Sequence, residues 1–250
     1  MNRDRMTRIG KAIASILLLF CIVGLVALRI HAGRVRRKAE RLHTELLTLT
    51  PGVTTLAEVR AFVSRTERPA GYEGFDGPQC DESECIVSIG QMAFVEGWGH
   101  PIFRGLGFLG VRPAHYDAMV EVRGGLVRKV IASTWYSTGP RRITSTSVIL
   151  VEDFKDTFLR SAEVIDKDHG IALCSGVSRS NSGNDIHYAD IGIATKKHPN
   201  RISLNLNCVT SFGECSDTQE FFHPEDSPEY RAILQRSNAA CFSNGQWFSP

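Results

Sequence analysis

Apolar residues fill positions 12–28, AIASILLLFCIVGLVAL, without a charge, and basic residues stand on both sides of the run. A helix of that length covers about 25 Å, slightly less than a hydrocarbon core of about 30 Å. Lys11 and Arg29 close the gap by extending their apolar stems and leaving their charges among headgroups. The stretch therefore reads as an uncleaved, signal-anchor type transmembrane helix. A cleaved signal peptide is the competing reading, but Ile30-His31-Ala32 puts a large residue where cleavage needs a small one.

Beyond the anchor the pattern becomes amphipathic. Val35, Ala39, Leu42, Leu46 and Leu49 recur at spacings of three and four, which predicts a helix leaving the bilayer as a stalk. The stretch is too short for the three or more heptads of a dimerising coiled coil. Pro51-Gly52 ends it, and Thr55-Leu56-Ala57-Glu58 has the capping-box spacing that starts a second, short helix. That helix turns Val53, Leu56, Val59, Phe62 and Val63 toward a core.

Period-two segments follow. Residues 85–94, 115–123, 126–137, 147–151, 171–177, 186–194 and 202–209 predict strands. Gly124-Gly125 joins two of them as a hairpin turn needing positive φ. Residues 152–163 predict a short helix carrying Phe154, Phe158 and Leu159, and Ser227-Pro228-Glu229 is a helix start reaching about residue 237. Residues 69–80 and 178–185 read as exposed connectors, and 97–110, rich in Gly and aromatic residues, reads as a packed surface loop in preference to a ligand groove. The order predicts an α+β fold: an N-terminal transmembrane helix, then a mostly antiparallel sheet domain with flanking helices. The expected divisions are a basic cytoplasmic N-terminus at 1–11, the anchor at 12–30, a juxtamembrane amphipathic helix at 31–50, and an extracytoplasmic domain at 51–250.

Net charge of +2 hides a split along the chain. Residues 1–41 hold ten Lys/Arg and two Asp/Glu, which leaves 19 basic and 25 acidic residues beyond them. The basic part suits a membrane surface, and the acidic domain lacks the electrostatic footprint that nucleic acid requires. Expected partners are the lipid bilayer and an envelope protein, with no nucleic acid and no cofactor.

Orientation rests on two signals that disagree. Arg3, Arg5, Arg8 and Lys11 precede the anchor, whereas Arg29, Arg34, Arg36, Arg37, Lys38 and Arg41 follow it, which favours a cytoplasmic domain. Six of seven cysteines lie beyond the anchor, and an even number in a loop-rich domain reads as disulfides in an oxidising compartment. The cysteines decide the reading here: N-terminus inside, domain outside. The simplest pairing joins Cys80 to Cys85 and Cys208 to Cys215, and leaves Cys174 with Cys241. Cys21 is a small apolar residue of the anchor.

Two segments carry a resemblance. Pro51-Gly52-Val53-Thr54-Thr55 through Glu58-Val59 is similar to the helical start of small BamE-like envelope domains. Residues 204–222, with a leucine-asparagine-cysteine run, Gly213, Cys215 and Phe221-Phe222, resemble the tail of uncharacterised single-pass membrane proteins of acidobacterial type. Neither resemblance implies an activity. The second implies a bacterial envelope setting, which with the cysteine reading gives the expected location: a single-pass protein of the bacterial inner membrane with its domain periplasmic or extracellular.

Two chemical alternatives remain open. Cys174-Ser175-Gly176 resembles the nucleophile of NlpC/P60-type envelope peptidases, with His187 as base and Asp190 as its orienting group. Apolar Ile171-Ala172-Leu173 before it favours a strand cysteine in a disulfide or core. A zinc site could combine the paired cysteines with His100 or His223, although Cys208 and Cys215 stand further apart than structural zinc pairs usually do. Asp81-Glu82-Ser83-Glu84 reads as a solvated acidic loop, and the glycines of 97–110 lack the Lys-Ser/Thr ending of a phosphate loop.

Overall fold

The computed structural model describes residues 3–66, 79–80, 83–93, 106, 109–139, 142–153, 164–166, 170–179, 185–196, 203–210, 215, 220 and 222–223. One helix, α1 (Arg3–Leu46), runs unbroken for 44 residues, about 66 Å. Between Ile9 and Ile30 it exposes large apolar side chains on all sides, Phe20 at 71% of its surface. The helix is long and apolar enough to cross a membrane. So large an apolar surface needs lipid or a partner to cover it.

Past Ala32 the same helix changes character. Ala32, Ala39, Leu42, His43 and Leu46 are buried, and Leu47 and Leu49 after it are buried as well. The expected free stalk is instead the helix that closes the core. Its apolar stripe packs on a sheet, which removes more apolar surface from water than a lone stalk could. A second helix, α2 (Leu56–Arg65), opens with the predicted capping box. The Thr55 N–H donates to Glu58 Oε2 at 2.7 Å and the Glu58 N–H to Thr55 Oγ1 at 3.4 Å. The bond from the Thr55 N–H, and then one from the Thr55 hydroxyl at 2.9 Å, hold the Glu58 carboxyl below the usual range.

The sheet comprises β1 (Gln79–Cys80), β2 (Cys85–Ala93), β3 (Ala114–Arg123), β4 (Leu126–Gly139), β5 (Arg142–Val151), β6 (Val164–Asp166), β7 (Ile171–Arg179) and β8 (Asp185–Ala194). Their order is β1-β2-β3-β4-β5-β8-β7-β6. Every neighbouring pair is antiparallel except β5 with β8. The fold is thus α+β with a mostly antiparallel sheet. Gly124 and Gly125 make the β3–β4 turn at φ 63° and 75°, the left-handed pair that a two-residue hairpin demands.

Two strands differ from their sequence reading. β5 begins five residues earlier than expected, because Thr144, Ser145 and Thr146 are buried although polar. Hydroxyl pairing makes this tolerable: Thr146 Oγ1 lies 2.7 Å from Thr134 Oγ1 on β4. The strand expected at 202–209 is only β9 (Ser203–Leu204), paired with β10 (Phe222–His223) in a small second sheet. Asn205 then accepts the Asn207 N–H at 3.1 Å and turns the chain into a 3-10 turn, Leu206–Val209. Of the expected helices, 154–163 and 227–237 lie outside the described residues, as do 69–78, 97–105, 107–108 and 180–184 of the expected loops.

The main core lies between α1, α2 and one face of the sheet. Leu42, Leu46, Phe62, Val120, Leu150 and Ile191 belong to it, and Leu204, Leu206 and Phe222 extend it around α1. On the other sheet face the described residues form smaller apolar groups, such as Ile149 with Val151 and Ala172.

Candidate functional site

Side chains alternate across a sheet, so the residues facing away from the helices can be traced by register. Gly90 on β2 pairs with Asp117, Asp117 with Ser133, Ser133 with Ser147, Ser147 with Asp190, and Asp190 with Cys174. This polar row crosses strands whose opposite face is apolar.

At one end His115 and Asp117, two apart on β3 and hence on one face, meet with Nε2 2.8 Å from Oδ1. Their closeness depends on Gly90. A Cβ there would stand 3.1 Å from both Asp117 Oδ1 and His115 Nε2. Gly90→Ala is expected to push the pair apart at a cost of about 1 kcal/mol, visible as a displaced His115 imidazole resonance. An unchanged resonance would mean that the pair is not held against Gly90.

At the other end Ser133 and Ser147 place their hydroxyl oxygens 3.1 Å apart. The Ser147 hydroxyl donates to Asp190, but burial outweighs that bond and pushes the Asp190 carboxyl up to about 6. Asp190 can therefore exchange a proton near neutral pH. Three strand spacings separate Asp117 from Asp190, about 14 Å. Two carboxylates acting on one glycosidic bond stand closer, within about 10 Å. The row can hold protons and bind polar groups, but its ends cannot share one bond.

The proposed nucleophile constellation is only half assembled. Cys174 and Asp190 are register partners on this face. His187 alternates with Tyr188 and so projects from the opposite face, correcting its expected role as base for Cys174. Cys174 is itself engaged in a disulfide, which leaves no thiolate.

No family model, no curated protein and no solved structure matches this chain. Its chemistry must be judged from its own residues.

Cys208 and Cys215 form a disulfide, with Cα atoms 5.6 Å apart. So short a loop contributes about 2 kcal/mol through unfolded-state entropy. Cys85 is disulfide-bonded too, and its backbone register partner is Cys80. The Cys80 and His223 side chains, Cys241, His100, Asp81 and Glu82 lie outside the described residues. Cys21 is a free, exposed thiol in α1. Among the described residues no three His, Cys, Asp or Glu side chains gather as a metal would require.

The basic residues beside the apolar stretch differ in what they contact. Arg29 donates to the Leu109 carbonyl, Arg36 donates to Thr210 Oγ1 at 2.8 Å, and Arg37 Nε donates to the Gly33 carbonyl at 3.2 Å. Lys11, Arg34 and Lys38 are exposed. By sequence Arg29, Arg34, Arg36, Arg37 and Lys38 form one flank, and bonds to the domain set Arg29 and Arg36 apart. Sequence reading also passed over His115, Asp117, Ser133 and Ser147. His-x-Asp on a predicted strand, two residues on one face, is the signal that marks the first two. Nothing in the sequence marks Arg112, the largest fully buried side chain.

Proposed function

We propose that this chain is a single-pass protein of a bacterial envelope whose domain stands on the oxidising side and serves binding or assembly, without chemistry of its own. One observation carries the reading: the helix that exposes the membrane-length apolar stretch is the helix that closes the domain core. A domain built onto its anchor this way meets partners at a set height above the bilayer. The disulfides at Cys208–Cys215, Cys85 and Cys174 support the oxidising side. Cys80 with Cys85 and Cys174 with Cys241 complete the proposed pairing. A bacterial envelope setting, supported by the resemblance of residues 204–222, and with it the inner membrane, belongs to the same proposal.

Alkylation of protein taken from its native membrane under non-reducing, denaturing conditions, followed by intact mass, tests this. One modified cysteine, Cys21, is the expected result and implies three disulfides. Seven modified cysteines would put the domain in a reducing compartment, sink the proposed topology and favour a cytoplasmic-facing zinc or sensor domain. Cys174→Ala is expected to alter only stability and thiol count. Loss of a hydrolytic activity in that variant would instead favour an envelope hydrolase.

A further inference from the structure

We propose that a groove beside α1 holds one anionic phospholipid of the leaflet that the domain faces; this rests on the reading of α1 as membrane-spanning. The groove, about 530 Å³, lies between α1 and Leu109. Its lower wall is apolar, formed by Leu25, Val26 and Ile30. Arg29, Arg36 and Arg37 line the rest. The lining positions span 12 residues of helix, about 18 Å, enough to pass from acyl chains into the headgroup layer.

Two features separate this groove from a basic flank of the ordinary kind. Its arginines, at 29, 36 and 37, line the groove together, whereas Arg34, Lys38 and Arg41 do not line it. Two of them are also held by polar bonds to the domain, Arg29 to the Leu109 carbonyl and Arg36 to Thr210. Glu40 lies 3.2 Å from Arg36 and offsets a single charge. A phosphate matches the fork of donors that guanidinium groups present, and an acyl chain matches Leu25, Val26 and Ile30. Anionic phospholipid supplies both halves in one molecule.

Gly33 lines the groove with nothing within 4 Å of where its Cβ would stand. Gly33→Leu thus projects a side chain into the groove from an unobstructed Cβ position.

The test uses the full chain in detergent and native mass spectrometry with phosphatidylglycerol or phosphatidylcholine as probe. Phosphatidylglycerol is expected to be retained at about tenfold lower concentration, a modest yield for three arginines at a surface. Arg29→Gln/Arg36→Gln/Arg37→Gln and Gly33→Leu are each expected to erase that preference. Arg34→Gln/Lys38→Gln/Arg41→Gln, which removes the same charge from residues that do not line the groove, is expected to keep it. Equal loss in both triple variants, no preference in the unaltered chain, or displacement of the lipid by millimolar inorganic phosphate would each overturn the proposal. Flotation of the unaltered chain with phosphatidylcholine vesicles separates the two readings. Failure to float sinks the anchor, whereas floating without a phosphatidylglycerol preference sinks only the groove.

Discussion

His43→Ala is expected to destabilise the domain by about 3–5 kcal/mol, measured by equilibrium denaturation of the full chain in detergent. His43 sits at the buried end of α1 with 4% of its surface exposed. Its Nε2 accepts the Leu204 N–H at 3.0 Å, so that nitrogen carries no proton. In a neutral ring the proton is then on Nδ1, which lies 3.2 Å from the Tyr116 hydroxyl and donates to it. The two rings also meet edge to face, centroids 5.9 Å apart. Burial, and then the charge of Asp117, raises Tyr116 well above its ordinary value, so it stays a neutral phenol.

One imidazole therefore joins α1, β3 and β9. Alanine would strip a hydrogen bond from each of two buried groups and leave a cavity between helix and sheet. A partner lost in the interior costs about 1–3 kcal/mol per group. His43→Gln, whose amide can both donate and accept, is expected to recover part of the loss. A cost below 1 kcal/mol for the alanine variant would mean that α1 is held on the sheet by apolar packing alone.

Asp190→Asn is expected to stabilise the domain at neutral pH by about 1–3 kcal/mol. Folding moves this carboxyl from its ordinary 3.8 to about 6, chiefly by burial. Between those values the folded chain keeps the proton and the unfolded chain loses it. Stability contributed by the protonated acid is thus complete below about pH 4 and falls as pH rises through about 6, then levels off. The amide has the same shape, accepts from Ser147, and has no charge to desolvate. Denaturation midpoints measured from pH 4 to 7 should slope downward for the unaltered chain and lose that slope in the variant. Equal slopes would place the carboxylate in water. A charge kept where it opposes folding is a mark of sites retained for binding, which fits the polar row.

Local chemistry was legible from the chain alone. The apolar length of 12–28, the Thr55 capping box and the Gly124-Gly125 turn each depend on neighbours within a few residues, and period-two alternation marked β2, β3, β4, β7 and β8. Polar residues in a central strand defeated the same signal for β5. Hydroxyls at 144–146 count against burial until their partners on β4 are known.

Non-local pairing was decided only by the tertiary structure. Period-two alternation says that His187 and Cys174 belong to strands, but the register between β7 and β8 determines that they face opposite sides. The apolar stripe of 35–49 suits a stalk or a core helix equally, and the sheet against which it packs is built from residues far along the chain. Likewise Arg29 and Arg36 differ from their basic neighbours because Leu109 and Thr210 are brought against them. Each of these depends on contacts between distant residues, whose pairing is chosen by the global burial of apolar surface and not by any local pattern.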